Sequence, residues 1–346
     1  MSDTMQAVRL HEVGERPRVD TVPVPEPAAG EVRVAVRACG ICGSDVHVVH
    51  GVTPTGPLPQ ILGHEGAGVV DAVGVGVTRF AVGDRVVLSA GYGCGACPAC
   101  LSQHESRCTS AVGPGIFTDG YQAGFAVVPE RAVVALPDTL DFAVGAILTD
   151  AVLTPFHAIR QTPLRHGDSA AVFGLGGLGL HAVAILDQVL GVHVIGVDVN
   201  EAALERAKAF GAAAVVNGGG KPARELRAMT GDGVDATFEF VGSAAVTDQA
   251  VKALRPGGNC VVVGLTPEPL QLLPQALLVE RELHIQGSLG GSMPELAALV
   301  GLVADGTLDL SGTITHRFPI ERFDDALHVL ETKEGDPIRV VVEQAG

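Results

Sequence analysis

Four of the chain's seven cysteines lie close together, at a spacing that suits a metal ion. Cys94, Cys97, Cys100 and Cys108 follow the pattern C-x2-C-x2-C-x7-C within residues 91–108. Four thiolates form the ligand set of a structural zinc site, which closes the tetrahedral shell and leaves no position for a substrate. An iron–sulfur cluster and a redox-active dithiol are the alternatives. The spacing favours a metal that fixes a loop over one that performs chemistry.

A glycine-rich turn in the second half of the chain has the spacing of a dinucleotide-binding loop. The sequence "GLGGLG" follows the apolar run "AAVF", opens an apolar segment, and precedes Asp198, which lies twenty-four residues beyond Gly174. Such glycines permit a tight turn, close approach to a pyrophosphate and close helix–strand packing. The residues predicted to bind the nucleotide are Gly174, Gly176, Gly177 and Gly179, with Asp198 on the ribose. A glycine-rich strand turn beside an ordinary exposed aspartate is the alternative.

Asp198 also bears on which nucleotide binds. Its charge would repel a 2′-phosphate, and the next residues, Val199 and Asn200, offer no cation to hold one. Arg206 and Lys208 lie a turn or two into the helix that follows. The sequence therefore favours NAD over NADP.

Three further segments contain cysteine, histidine or acidic residues of the types that bind metals. They are "CGICGSDVH" at 39–47, "GHEGAG" at 63–68 and "LTDAVLTPFH" at 148–157. A catalytic zinc needs three protein ligands and one open position. Considered individually, His64 could instead be a packed or surface histidine, and Asp150 could instead cap a helix. Cys39 and Cys42 have the alternative of a C-x-x-C redox pair.

The elements that must position these residues change in character along the chain. Up to about residue 150, short alternating runs stopped by Gly, Pro or Asp indicate a β-rich domain with little helix. From residue 154, six apolar strands alternate with helices, which predicts a doubly wound parallel sheet of the Rossmann kind and an α/β fold class. The strands are "SAAVFGLG", "HVIGVDV", "AAVVNG", "DATFEFVG", "NCVVVGL" and "LHIQGSL". One helix and short β runs follow, so the predicted boundaries are 1–153, 154–290 and 291–346, and the last segment is expected to return to the first domain.

Composition and charge exclude several classes of function. The 39 acidic and 23 basic residues give a net charge of −16, which disfavours binding to nucleic acid. The N-terminus lacks the pattern of a secretory signal, and no uninterrupted apolar run is long enough to span a membrane. We therefore expect no membrane partner and a cytoplasmic protein, in which clustered thiols stay reduced and bind metal.

The motifs together resemble one family, the zinc-dependent medium-chain alcohol dehydrogenases. "GICGSDVH", "GHEGAGVVDAVGVGV", the four-cysteine loop, "VFGLGGLG" and Asp198 occur in that family's order and at its separations, over nearly the whole chain. The resemblance implies a β-rich GroES-like catalytic domain and a Rossmann nucleotide-binding domain. It also implies a small-molecule alcohol or carbonyl substrate.

The resemblance assigns a second zinc ion to scattered residues. It implies that Cys42, His64 and Asp150 are the ligands of a catalytic zinc, so that the chain would bind two Zn²⁺. Some members have Cys where this chain has Asp150, and others have Asp. Glu65 matches a carboxylate that can enter the metal shell, and Asp45 matches one that orients the ligand histidine.

The resemblance also implies a proton route and two contacts to the nucleotide. Ser44 would take the proton of the alcohol and pass it, through a ribose hydroxyl of the nucleotide, to His47, because an imidazole exchanges protons with water near neutral pH. Thr154 matches a position beside the nicotinamide ring, and Leu178 would pack on the other side of the cofactor. The expected reaction is reversible hydride transfer between a primary or secondary alcohol and NAD.

Two other functions compete with this one. The first is a reductase of activated C=C or C=N bonds from the same superfamily, but such members often lose a zinc ligand or change the Ser44 and His47 relay. The second is a zinc-ribbon binding protein that uses the four-cysteine loop to engage a partner. Family members of this length are commonly homotetramers, so we expect a homo-oligomer, either a dimer or a tetramer.

Overall fold

The computed structural model describes residues 3–270 and 273–344, and within them strands and helices alternate along most of the chain. The strands are β1 Thr4–Leu10, β2 Arg18–Pro23, β3 Glu31–Ile41, β4 Gln60–Ile61, β5 Glu65–Val73, β6 Arg85–Leu88, β7 Phe125–Pro129, β8 Val133–Ala135, β9 Ser169–Phe173, β10 His193–Asp198, β11 Ala214–Asn217, β12 Val234–Glu239, β13 Leu254–Val262, β14 His284–Gly287, β15 Ile314–Pro319 and β16 Arg339–Glu343. The helices are α1 Gly43–Val49, α2 Pro98–Leu101, α3 Phe142–Ile147, α4 Leu153–Arg160, α5 Gly177–Ala184, α6 Glu201–Ala209, α7 Pro222–Thr230, α8 Ala244–Ala253, α9 Gln275–Glu280, α10 Met293–Ala304 and α11 Phe323–Thr332. Five-residue π-helical turns follow α3 and α5, at Leu148–Val152 and Ile185–Val189.

The chain divides into two compact units. The first contains Met1–Leu153, Gly290–Ala304 and Ser311–Gly346, and the second contains Thr154–Leu289 and Asp305–Leu310. The sequence predicts that residues 291–346 lie together in the first domain, whereas the structure assigns Asp305–Leu310 to the second unit. The reason is local packing: the Asp309 N–H donates to Gln188 Oε1 at 2.7 Å, and Leu308 is buried.

The first unit is built on two β-sheets. In its described part, a small antiparallel sheet has the order β2-β1-β4, and a larger one has the order β15-β16-β3-β5-β6-β8 with β7 also paired to β3. The pairs along the larger sheet are antiparallel except for β15 and β16. Valine-rich strands such as "EVRVAVRACGI" supply the apolar core between the sheets and their helices. The predicted β-rich domain is confirmed.

The first unit contains more helix than the sequence analysis predicted. Cys42 caps helix α1: its thiol accepts the Ser44 N–H while the Asp45 carboxylate accepts the Cys42 N–H, which is a reciprocal cap. Helix α11 was predicted as part of a run of short strands, and this was wrong. Its buried residues Phe323, Ala326, Leu327 and Leu330 recur at the helical period, which is the signal that identifies it.

The second unit is a parallel sheet covered by helices. Its strand order is β11-β10-β9-β12-β13-β14, and these are the six strands predicted from the apolar runs. That order reverses direction between β9 and β12, so a crevice forms outside the carboxyl ends of these two strands. The Rossmann-type fold class is therefore confirmed.

One helical run among the described residues is long and apolar enough to cross a membrane by those two criteria alone. It extends from Phe142 to Arg160, and 78% of its most apolar window is buried inside the protein. The core helix of a folded domain has the same properties, and this run contains Asp150. The sequence analysis did not single it out because polar residues interrupt its apolar stretches.

Candidate metal centres and nucleotide-binding loop

Three side chains predicted as ligands of one metal ion converge in the first unit. Cys42 follows β3 and caps α1, His64 precedes β5, and Asp150 lies in the π-helical turn after α3. A π-helical turn within an α-helix frequently marks a functional position. The fold thus brings together residues that are up to 108 positions apart in the sequence.

The distances between the three ligand atoms fit a zinc ion. Cys42 Sγ lies 3.1 Å from His64 Nε2 and 3.7 Å from Asp150 Oδ2, and His64 Nε2 lies 3.4 Å from Asp150 Oδ2. Zinc bond lengths in a tetrahedral arrangement place S, N and O ligands about 3.4–3.6 Å apart. Cys42 and His64 are buried and Asp150 is half-buried.

The electrostatics of this cluster also suit a cation. Burial alone would lower the pKa of His64, but the neighbouring Cys42 and Asp45 raise it well above the ordinary value of histidine. Burial raises the pKa of the Cys42 thiol, while His64 lowers it. Asp45 and Asp150 raise the pKa of both His64 and Cys42, which indicates an excess of negative charge around them. A divalent cation would neutralise that charge.

Glu65 adjoins the three ligands and is held by an arginine that the sequence analysis missed. Its carboxylate lies in the same group of potential ligands, and its Oε2 pairs with Arg339 Nη2 at the start of β16. Both side chains are buried, and burial raises the pKa of Glu65 to about 7 although Arg339 lowers it. The only sequence signal for Arg339 is a cation opening the apolar strand "RVVVE".

Gly40 gives the Glu65 carboxylate its room. A Cβ atom built on Gly40 would overlap Glu65 Oε2, so any side chain at position 40 would displace that carboxylate. The φ of Gly40 lies outside the left-handed region, so the constraint is one of space.

Asp45, Ser44 and His47 all lie on α1, close to Cys42 in sequence. Asp45 Oδ1 is 3.6 Å from His64 Nδ1, an electrostatic contact beyond hydrogen-bonding distance, and Asp45 Oδ2 accepts the Cys42 N–H at 2.9 Å. Ser44 and His47 are three residues apart and half-buried, so their side chains occupy neighbouring positions on the helix.

The four-cysteine loop also forms a compact cluster. Sulfur atoms of Cys94, Cys97, Cys100 and Cys108 lie within 4.8 Å of one another, as four ligands of one ion would. The N–H groups of Ala96 and Cys97 donate to Cys94 Sγ and lower the pKa of Cys94 to about 6. The thiolate form of Cys94 is thus favoured at neutral pH, whereas burial raises the pKa of Cys100 to about 11.

The loop that carries these cysteines is tied to the rest of its unit by an arginine. Arg131 Nε and Nη2 both donate to Gly93 O at 3.2 Å, and Cys108 is buried. A metal ion in this cluster would therefore fix the loop.

The glycine turn has the features of a dinucleotide cradle. Gly174 has φ +88°, and a Cβ on Gly179 would overlap Gly174 O, so the turn and helix α5 approach each other closely. Gly176 caps α5 without a side chain, and a Cβ built there would meet no atom within 4 Å, which leaves open space beside the helix N-terminus. Gly177 occupies the first position of the helix.

Asp198, at the end of β10, is bound to this turn. Its Oδ2 accepts the Leu175 N–H at 2.7 Å, and its Oδ1 accepts the Asn200 N–H at 2.9 Å. Thr154 lies buried in α4 and Leu178 half-buried in the first turn of α5. Their predicted contacts with a nicotinamide ring stay predictions. The turn with Asp198 and the cluster of candidate metal ligands in the first unit are features expected of a nucleotide-dependent dehydrogenase.

Comparison with known families identifies the chain. Residues 28–138 match the model of the alcohol dehydrogenase GroES-like domain, and residues 177–305 match that of the zinc-binding dehydrogenase domain. The chain belongs to the zinc-dependent medium-chain dehydrogenase/reductase family, which confirms the resemblance found in the sequence. It is an oxidoreductase of the dehydrogenase type.

Individual relatives have different substrates in their names. An alcohol dehydrogenase of Geobacillus stearothermophilus is 36% identical over 93% of this chain and 94% of its own length. An L-threonine 3-dehydrogenase of Anaeromyxobacter sp. strain Fw109-5 is 33% identical over 94% of this chain and 95% of its own. A solved structure from Escherichia coli CFT073, described as a short chain alcohol dehydrogenase complexed with NADH, matches with a TM-score of 0.93 at 27% identity, covering 99% of this chain and all of that one.

Proposed function

We propose that the protein is a zinc- and NAD-dependent alcohol dehydrogenase, which transfers hydride reversibly between a primary or secondary alcohol and NAD. The observation that carries the proposal is the convergence of Cys42, His64 and Asp150 on one point. Three ligands leave a tetrahedral zinc with one position for a substrate oxygen. The glycine turn with Asp198 supports a dinucleotide as the hydride acceptor.

Each residue of the first unit has a distinct task in this proposal. A zinc ion, when bound, would act as a Lewis acid that stabilises negative charge on the substrate oxygen. Asp45 orients His64, and Arg339 holds Glu65 beside the ligands. The Ser44 hydroxyl would take the proton of the alcohol, and His47, one helical turn away on α1, would release it to water.

The preference for NAD rests on Asp198. Its carboxylate lies at the end of β10, where it can accept hydrogen bonds from the ribose hydroxyl groups and repel a 2′-phosphate. Lys208 is paired with Glu205, and Val199 offers no charge. Burial lowers the pKa of Arg206 while the charge of Asp198 raises it, so this guanidinium already interacts electrostatically with the carboxylate.

Replacing Asp198 by glycine should lower kcat/KM for NAD by about tenfold or more. It should also reduce the preference for NAD, expressed as kcat/KM for NAD divided by kcat/KM for NADP. The loss has two causes, because Asp198 is the proposed ribose acceptor and also accepts the Leu175 N–H of the turn. Initial rates with both nucleotides measure the ratio. Glu201→Gln is the matched control, because it also removes one negative charge near the turn. The Glu201 carboxylate accepts a hydrogen bond from Asn217 Nδ2, which lies outside the turn. A wild-type protein that turns over faster with NADP would contradict the assignment.

The identity of the alcohol is tested by a substrate panel. Primary, secondary, aromatic and polyol substrates and L-threonine are offered to the zinc-loaded protein, and NADH formation is followed. Oxidation of any alcohol in the panel supports the proposal. The same protein is assayed in reverse with ketones and with activated C=C and C=N compounds. Reduction of those bonds without any alcohol or carbonyl activity would favour the alternative reductase, against which the retention of Ser44 and His47 argues.

We also propose that the protein works as a homodimer or homotetramer in the cytoplasm. Edge strand β14 of the parallel sheet is available for pairing with a second copy. The described cysteines are free thiols, as in a reducing compartment. The acidic balance of the chain supports small-molecule partners and argues against nucleic acid.

A further inference from the structure

Glu239 occupies the point of the parallel sheet where the strand order reverses. It is the last residue of β12 and pairs with Phe173, the last residue of β9. In sheets of this type, ligands bind in the crevice outside the carboxyl ends of the two strands at the reversal. None of the sequence motifs pointed to this residue, because it ends an otherwise ordinary apolar strand.

The Glu239 side chain is fully buried and organises the turn that follows it. Its Oε1 accepts the N–H groups of Val241 at 2.7 Å and Gly242 at 2.9 Å. Its main-chain oxygen accepts the N–H groups of Val263 and Gly264, which follow β13. One residue therefore holds the turn after β12 and also the turn after β13.

These turns are packed directly against the glycine turn. A Cβ built on Gly174 would lie 2.8 Å from Val241 Cγ2 and 3.2 Å from Val241 N. A Cβ on Gly242, which has φ +75°, would lie 2.6 Å from Leu265 O, and one on Gly264 would overlap Gly242 N. The three turns are thus in close contact, and a shift of the turn after β12 would move the wall opposite Gly174.

Burying the carboxylate of Glu239 in an apolar sheet costs free energy, because its charge loses the solvation of water. Burial raises the pKa of Glu239, while the N–H groups of Gly242 and Val241 lower it. Its Oε2 meets no donor at hydrogen-bonding geometry within residues 3–270 and 273–344, although the Ser243 N–H also lowers the pKa of the carboxylate. Buried polar atoms without partners are rare, and residues that break such rules are concentrated at functional sites.

We propose that Glu239 is a positioning residue for the dinucleotide, because its carboxylate fixes the backbone that forms the wall of the crevice opposite the glycine turn. The inference rests on the proposed dinucleotide-dependent function. Glu239 itself is buried and acts through Val241 and Gly242, whose backbone it holds.

The test compares NADH dissociation constants of the zinc-loaded wild type and three variants, measured by titration of NADH fluorescence. Glu239→Ala should raise the dissociation constant by about tenfold or more, since it removes the acceptor of both N–H groups. Glu239→Gln, which keeps one acceptor oxygen in place, should stay within about threefold of the wild type. Melting temperatures without nucleotide are recorded in parallel.

Asp235→Ala is the matched control. Asp235 is the other carboxylate of β12; it accepts the Ser169 N–H at 2.8 Å and pairs with Arg255 near the amino end of the strand, away from the crevice. This variant should lose thermal stability but keep the wild-type dissociation constant. An equal rise in Asp235→Ala and Glu239→Ala would overturn the proposal, because it would show a general loosening of the sheet.

Two further outcomes are decisive. An unchanged dissociation constant in a folded Glu239→Ala protein overturns the inference while leaving the proposed function intact, whereas a wild type that binds no NADH contradicts the proposed function itself. If Glu239→Ala does not fold, Glu239→Asp replaces it. That variant withdraws the carboxylate by about 1.5 Å and should also weaken binding; wild-type binding would overturn the proposal.

Discussion

Replacing Cys42 by alanine is expected to reduce turnover by about a thousandfold or more while leaving the protein folded. Cys42 Sγ lies within 3.7 Å of both other proposed ligand atoms, so its loss removes one of three protein contacts to the metal. A Lewis acid contributes several kcal/mol to stabilisation of the transition state, and about 4 kcal/mol corresponds to a thousandfold change in rate. Steady-state turnover and elemental analysis measure the effect, with zinc falling from two ions per chain to one.

Cys39→Ala is the control for this variant. Cys39 is a buried thiol three residues earlier in the sequence, and it is absent from the group of potential ligands around Cys42. The control should keep two zinc ions and near-normal turnover, with a modest loss of stability from the small cavity. Equal loss of activity in both variants would instead support a redox-active Cys39–Cys42 pair.

Replacing Cys100 by alanine should mainly lower thermal stability, with a fall in melting temperature on the order of 10 °C. Cys100 Sγ lies 3.5 Å from Cys97 Sγ and 4.0 Å from Cys94 Sγ, so its removal opens the four-thiolate cluster. Binding of a structural metal is coupled to folding of the segment that supplies the ligands. Calorimetry and elemental analysis check the prediction, and turnover at low temperature should remain within about threefold of the wild type.

The pair of variants separates the two metal sites. If Cys100→Ala abolishes turnover and Cys42→Ala only lowers stability, the two assignments are reversed. A wild-type protein that contains one zinc ion, with that ion retained unchanged in one of the two variants, would show that the chain binds only one. Cys260→Ala serves as the stability control, because Cys260 is a buried thiol in β13, outside both groups of metal ligands.

The parallel sheet could be predicted because each of its strands carries its own signal. Runs such as "SAAVF" and "HVIGVD" are continuously apolar and end at glycine or aspartate, and the glycine turn has local geometry that few residues other than glycine can adopt. The four-cysteine cluster was predictable for a similar reason, since all its ligands lie within fifteen positions.

The residues that support the sites could not be predicted from spacing. Arg339 meets Glu65 across 274 positions, and the pairing of β16 and β5 with opposite edges of β3 brings them together. Glu239 has no motif, because its role depends on which strands are neighbours at the reversal of the sheet. The π-helical turn around Asp150 could not be predicted either, because one additional residue per turn does not change the pattern of a sequence that is apolar on both sides.

The close approach of Gly40 to Glu65 has a consequence for variation at that position. In a library containing all twenty amino acids at position 40, glycine alone should retain full activity, and even alanine should be selected against because its methyl group would displace the buried carboxylate. The usual explanation for a glycine restricted in this way is a left-handed backbone, and it does not apply here. Positions 40 and 65 should therefore behave as an epistatic pair, in which shortening Glu65 to aspartate partly restores tolerance of alanine at position 40.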